Sequence, residues 1–210
     1  MKKYFLTAAA LSVLALNGQA SAQDFTINSG FALTSTYIDK GRPVGSPRAS
    51  FQGYSEVETR GFYLRTEFAT VRLGPDRLEA TIGAGFRNSV GALSYELGFE
   101  RTFYNRSGNC CGEIRLGLGL DAAYGMRFGG EVAYDTTEEL YTTSVSAGYG
   151  FNDMFDVSAE FGRLESSHNF WNLGVSYMPM ANTSLDLRYH DSNGDKGRLV
   201  GTVSYDFSLR

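Results

Sequence analysis

The chain has little of what metal binding, redox work or helical membrane anchoring requires. Its 210 residues include only two histidines and two cysteines. The cysteines are adjacent, Cys110-Cys111, in the turn-rich stretch Asn105–Gly112. Neighbours in sequence can bond to each other only through a strained ring, so they read as a loop pair, free or vicinally bonded, without chemistry. Metal or redox activity would need further ligands at fitting spacing, and none is found. No Gly-rich phosphate loop, zinc spacing or calcium loop is visible either, so no metal and no cofactor is expected. Charge blocks are missing too. A formal net charge of −4, with the basic residues scattered, argues against a nucleic-acid partner. Past residue 22 no apolar run reaches the ~18 residues of a membrane-crossing helix. Proline is scarce at 4, glycine abundant at 25, and no low-complexity linker interrupts the chain. One compact β-rich domain is left.

The first 22 residues read as a secretory signal peptide. Lys2 and Lys3 precede an apolar stretch from Tyr4 to Leu16, and Ala20-Ser21-Ala22 supplies a small-residue cleavage site. No cysteine follows that site, so no lipid anchor is expected at a new N-terminus. The division is residues 1–22 as signal and residues 23–210 as the exported domain.

That domain is dominated by a two-residue rhythm. From Leu93 to Arg101 large apolar residues alternate with polar or small ones, and the pattern recurs about every 15 residues, near the spacing of strand plus turn. Successive side chains of a strand point to opposite faces, so each segment has one apolar and one wet side. Breaking the chain at turn signals gives about twelve strands, with ten as the nearest alternative. They fall near 25–37, 49–57, 62–73, 78–87, 93–104, 113–124, 128–135, 140–151, 155–164, 170–178, 183–190 and 198–208. Most have the ~9–11 residues that a tilted strand needs to cross a bilayer. Connections 38–48, 105–112 and 191–197 are long, whereas 58–61, 125–127, 152–154 and 179–182 are short. Long loops on one side and tight turns on the other mark a transmembrane antiparallel β-barrel; 74–77 is short on the long side.

One face carries residues such as Leu64, Phe68, Ile82, Leu97, Phe99, Leu116, Leu173 and Val175. The opposite face carries Arg65, Glu67, Glu79, Arg87, Glu96, Glu100, Arg115, Asp121, Glu131, Asp156, Glu160, Asp186 and Arg188, together with Gly83, Gly85, Gly98, Gly117, Gly119, Gly129, Gly148, Gly150, Gly162 and Gly174. Tyr124, Phe128, Phe151, Phe155 and Tyr177 bracket the short turns like an interfacial aromatic girdle. A soluble barrel would turn its apolar face inward. About eight strands already give an interior that side chains just fill, so twelve would leave Leu and Phe unable to fill the space. Turned outward, that face meets lipid, and the charges and glycines line a wet lumen. Nine of those lumen candidates are acidic and four are arginines, which predicts a modest cation preference in a passive path for small solutes. Arg72, Arg101 and Arg163 have outward parity near strand ends. With the N-terminus in the periplasm they reach the outer rim and are expected to meet lipopolysaccharide phosphates.

His190-Asp191-Ser192-Asn193-Gly194 resembles the H-x-S-N-G string of the outer-membrane phospholipase A family, where His is the base and Ser the nucleophile. That resemblance implies His190 and Ser192 as an alternative catalytic pair. Parity opposes it, because outward Leu185, Leu187 and Tyr189 turn His190 inward, and the string is also ordinary turn composition. Ser166-Ser167-His168-Asn169 is polar loop sequence.

A wider resemblance covers nearly the whole exported chain. It is carried by Ser35-Thr36-Tyr37-Ile38-Asp39-Lys40-Gly41, Gln52-Gly53, Tyr95-Glu96-Leu97-Gly98 leading to Phe103-Tyr104, Leu140-Tyr141, Leu173-Gly174-Val175-Ser176-Tyr177, and Asp186-Leu187-Arg188-Tyr189-His190-Asp191. On these strings the chain resembles the TorF-type porins, conserved Gram-negative outer-membrane proteins of unknown function. Departures are Lys40 for Arg, Phe68 for Trp and Tyr104-Asn105 for Tyr-Pro. The resemblance implies an outer-membrane barrel and a pore, not an enzyme and not a known solute. Val203-Ser204-Tyr205-Asp206-Phe207 looks like the closing-strand signal by which the barrel-assembly machinery recognises its clients, although Ser208-Leu209-Arg210 follow it. The expected surroundings are therefore lipid, lipopolysaccharide, the assembly machinery and small solutes. A lipid hydrolase and a closed structural barrel stand as the alternatives.

Overall fold

The computed structural model describes residues 25–165 and 167–209. The proposed signal peptide lies outside the described residues, as does Ser166. Fourteen strands follow one another: β1 Thr26–Thr34, β2 Ile38–Asp39, β3 Arg42–Pro43, β4 Ser50–Thr59, β5 Phe62–Leu73, β6 Asp76–Val90, β7 Leu93–Tyr104, β8 Gly108–Asp121, β9 Met126–Asp135, β10 Leu140–Gly150, β11 Phe155–Leu164, β12 His168–Met180, β13 Thr183–Ser192 and β14 Asp195–Leu209. β2 and β3 pair only with each other; the other twelve form one closed barrel of antiparallel neighbours. β1 closes it, pairing β4 on one edge and β14 on the other. The ten-strand alternative is excluded.

Paired residues traced once round the wall shift the register by about 16 residues. A twelve-stranded barrel with that stagger tilts its strands by roughly 45° and encloses more space than an eight-stranded one. Closure leaves no edge strand with unpaired backbone, which lipid could not satisfy.

Burial is inverted relative to a water-soluble domain. Among the described residues the buried hydrophobics are only Ala69, Val71, Ala133, Phe170 and Val200, whereas Leu97 (55% exposed), Val145 (60%), Leu187 (54%) and Leu199 (61%) stand on the outer surface with dozens of like residues. No soluble protein leaves so continuous an apolar surface in water. The outer face is built for lipid. Aromatic contacts reinforce its turn end, where Phe155 stacks on Tyr177 with ring centroids 4.8 Å apart and Tyr149 meets Phe151 edge-on at 4.8 Å.

Two expected loops are corrected. Residues 108–112 belong to β8, and 191–192 and 195–197 belong to β13 and β14, so the connections shrink to 105–107 and 193–194. Their turn-forming residues are tolerated in strands because the wall rises past the apolar band, where polar side chains find partners. Asn109, for example, accepts from Arg101 Nε at 2.7 Å. Cys110 and Cys111 are bonded to each other at a register shift in the β7–β8 ladder. One expected long loop, between β1 and β4, remains.

Candidate functional site

That first loop does not stand outside the barrel. It folds back as the small β2–β3 hairpin, turned by Lys40 and Gly41 with φ of 45° and 77°. Both central residues in the left-handed region define a type I′ turn. A Cβ on Gly41 would lie 2.5 Å from Phe170 Cβ, so the turn is wedged against the wall. Three side-chain contacts span the lumen. Tyr37 donates its hydroxyl to Glu79 Oε1 on β6 at 2.9 Å, and Lys40 Nζ pairs with Glu113 Oε1 on β8 at 2.7 Å. From the opposite side, His168 Nε2 on β12 donates to the Lys40 carbonyl at 2.9 Å. Contacts to β6, β8 and β12 place the hairpin across the loop-end mouth.

Charge at this crossing is perturbed. Enclosure by the wall raises the Asp39 carboxyl pKa above its ordinary value; Lys40 opposes the rise, and Glu113 adds to it. Burial pushes the Tyr37 hydroxyl up, with Glu79 adding to the shift. Burial lowers Lys40, but Asp39 and Glu113 outweigh that and leave its ammonium more firmly protonated than usual.

Below the hairpin the lumen is lined by ion pairs. Arg115 on β8 donates to Glu100 on β7 at 3.1 Å and to both Glu131 oxygens on β9 at 2.9 and 3.0 Å. Arg87 reaches Glu56 and Glu58, Arg127 reaches Asp156, and Arg65 lies against Glu67. Arg188 joins Asp186 at 3.1 Å, Asn172 at 2.7 Å and the Ser158 hydroxyl at 2.9 Å. Four further carboxylates take neutral donors instead: Glu79 from Tyr37, Glu96 from Tyr63, Glu160 from Asn172 and Asp206 from Tyr54. Acidic groups are therefore left over once the arginines are paired.

The inward glycines are seats for these side chains. A Cβ on Gly85 would lie 2.5 Å from the Tyr63 hydroxyl, and one on Gly174 would lie 2.7 Å from the Arg188 guanidinium carbon. Tyr63 and Arg188 thus lie flat along the wall rather than across the passage. Between β8 and β13 this leaves a cavity of ≈ 490 Å³ bordered by Arg115, Glu131, Glu160 and Arg188.

The thirteen lumen candidates read from the sequence all have inward parity in the observed registers. Parity alone would also have found Tyr54, Glu56, Glu58, Tyr63, Glu113, Arg127 and Asp206. Nothing periodic marks Tyr37, Asp39 and Lys40, which belong to the S-x-Y string. Arg72, Arg101 and Arg163 lie near the loop-end of their strands. His190 faces Asn172 and Arg198 across the ladders, inside the lumen. Ser192 Oγ is buried and has no hydrogen-bond partner among the described residues, with Gly41 packed beside it. The pair is not brought together as a base and a nucleophile on the lipid-facing wall. His168 is a buried strand residue rather than a loop residue.

No protein family matches the sequence and no curated protein does, so the TorF-type resemblance stands on the strings alone. Solved structures do match. A KdgM porin superposes with a TM-score of 0.67 at 14% identity, over 87% of this chain and 99% of that one. This chain has a porin fold. A KdgM porin in complex with disordered oligogalacturonate gives 0.63 at 12% identity over 88% and 99%, and a NanC porin 0.53 at 10% over 89% and 99%. Identity this low carries the fold and not the solute.

Proposed function

We propose that the protein is a passive outer-membrane channel for small hydrophilic solutes, narrowed at its outer mouth by the β2–β3 hairpin and weakly selective for cations. The observation that carries this reading is the hairpin crossing a charged, apolar-core-free lumen. A closed structural barrel would gain more from filling its interior than from glycines that hold Tyr63 and Arg188 against the wall. The leftover carboxylates support the cation preference, because a ring of one sign raises the local concentration of the opposite ion. The porin fold supports an outer-membrane location, reached by export with a cleaved signal and insertion by the assembly machinery.

The KdgM porin above is in complex with disordered oligogalacturonate, an acidic oligosaccharide. In the present chain Arg65, Arg87, Arg115, Arg127 and Arg188 already have carboxylate partners, so a polyanion would have to displace them. Cationic and neutral solutes meet no such competition. The test is a planar-bilayer recording of the refolded chain under a potassium chloride gradient. A reversal potential of the sign for cation flow is expected. Anion selectivity refutes the charge reading, and absence of conductance refutes the channel. Hydrolysis of phospholipid that disappears in Ser192→Ala would favour the lipase alternative.

A further inference from the structure

Five lumen arginines, Arg65, Arg87, Arg115, Arg127 and Arg188, are paired with acids; those at the outer rim near β5 are not. A cavity of ≈ 180 Å³ lies between the returning end of the first loop and the tops of β5 and β6, lined among others by Tyr37, Ser46, Ser50, Arg48, Arg72 and Arg77. It is formed because Ser46 N donates to the Arg72 carbonyl at 3.1 Å and Gly45 bridges Arg72, laying the loop along β5. Most of its neutral polar groups are spoken for. Ser50 Oγ donates to the Thr70 carbonyl at 2.7 Å and Tyr37 donates to Glu79. Arg77 uses one guanidinium nitrogen on the Gly74 and Asp76 carbonyls, at 2.9 and 2.6 Å, and the rest of its fork is open. Arg48 and Arg72 form no ion pair among the described residues. The adjacent acid, Asp76, is 2% exposed and engaged by Arg106 N, Ser107 N and the Ser107 hydroxyl. Three arginines thus border one recess, and none of them forms an ion pair among the described residues.

We infer that this recess binds a phosphate group. Guanidinium forks match phosphate oxygens two at a time, and a bound dianion would relieve the mutual repulsion of three like charges. Arg72 lies at the register shift of the β5–β6 ladder, and Leu73 and Leu78, 39% and 40% exposed, continue the apolar surface beside it. A phosphate carried on an acylated lipid of the outer leaflet therefore fits both parts, the head on the arginines and the chain on the leucines. A free phosphate shares the first part only. Arg101 and Arg163 are different: Arg101 is tied to Asn109, and Arg163 lies on β11, across the barrel. The site rests on the loop end of the barrel facing outward but does not require the lumen to conduct.

The experiment uses the full chain in detergent, tested for a folded barrel by its shifted gel mobility before boiling. Lipopolysaccharide micelles, the same lipid with its phosphates removed, and inorganic phosphate are the three probes. For wild type, binding to intact lipopolysaccharide is expected to fall about tenfold or more in the Arg48→Gln/Arg72→Gln/Arg77→Gln variant, and to stay near wild type in Arg163→Gln. If the triple variant does not fold, Arg72→Gln alone is expected to lose severalfold. Weaker binding of the dephosphorylated lipid supports the assignment, with a lipid as the source. Competition by inorganic phosphate against the intact lipid supports it with a free anion as an equal source. Equal binding by wild type and the variants, or an equal loss in Arg163→Gln, overturns it.

Discussion

Freeing the hairpin should open the mouth, and two of the three side-chain contacts that hold it allow the size of the effect to be worked out. Lys40 and Glu113 meet at 2.7 Å, with side chains 30% and 17% exposed. At an effective dielectric of about 20 their attraction is about 6 kcal/mol, most of which is offset by lost hydration. The net is about 1–3 kcal/mol, between an exposed pair and a charged hydrogen bond. Tyr37 donates to Glu79, which is only 9% exposed, so its loss is worth about 1.5–3 kcal/mol. The contacts go to separate strands, so in Tyr37→Phe/Lys40→Ala the losses add to about 2.5–6 kcal/mol. That multiplies the ratio of displaced to seated hairpin by about 70 or more. Single-channel recordings are expected to show a larger mean conductance and more frequent excursions to it. The single variants separate two effects. Lys40→Ala also removes a positive charge from the mouth and should raise cation preference, whereas Tyr37→Phe should leave selectivity unchanged. Conductance and its fluctuations unchanged in the double variant at both polarities would falsify the hairpin as the constriction.

Acidification offers an independent probe. Because enclosure raises Asp39, its neutral form is the one favoured in the seated hairpin; the group therefore protonates while pH is still above the ordinary carboxyl value of about 3.9. Seating should strengthen as pH falls through that raised value and weaken as pH rises past it. Cation preference should decline over the same range, Asp39→Asn should remove the early part of the decline, and an identical pH profile in that variant refutes the assignment. Gly85→Val should drive the Tyr63 ring off the wall: a conductance drop and a stability loss of about 1–3 kcal/mol are expected, read by bilayer recording and by the urea midpoint of barrel unfolding, and an unchanged conductance rejects the seat.

Strands bounded by compact turn signals were legible to the residue: 62–73, 93–104 and 155–164 have the same ends in the structure as in the sequence. Errors collected at the loop ends, where Gly108-Asn109 and Asp195-Lys196-Gly197 read as loop yet continue β8 and β14. Composition distinguishes strand from turn only where a face must be apolar. Above the lipid band that requirement lapses, and hydrogen-bonded pairing alone extends the strand. The lumen side chains were legible because parity transmits them, and an antiparallel register carries the same face from strand to strand. The hairpin was not legible in the same way. Its path is set by individual partners, Glu79, Glu113 and the His168 ring, which lie 42, 73 and 128 residues away in sequence from Tyr37 or Lys40, and no periodicity encodes such pairings. The trace left in the sequence is Tyr37-Ile38-Asp39-Lys40-Gly41 itself, a glycine-containing turn flanked by groups able to bond to a charged wall.

The division of arginines follows from the same electrostatics that makes a lumen possible. An unpaired guanidinium inside attracts polyvalent anions, so pairing Arg65, Arg87, Arg115, Arg127 and Arg188 with carboxylates keeps most of the wall hydrated but weakly retentive. Pairing also fixes each fork: Arg115 between Glu100 and Glu131 bridges three strands, β7 to β9, and cannot swing across the passage. At the rim the requirement reverses. A phosphate retained there lies outside the passage, and it ties the loop end to whatever carries the phosphate. Arg48, Arg72 and Arg77 flank the strand on which the first loop lands as it leaves the lumen. Occupancy of that recess therefore bears on the hairpin through eight residues of chain, from Lys40 to Arg48. Phosphate-lipid binding should therefore lower the mean conductance, because an occupied rim steadies the returning strand and with it the seated hairpin; a single-channel conductance unchanged by bound lipid refutes the coupling.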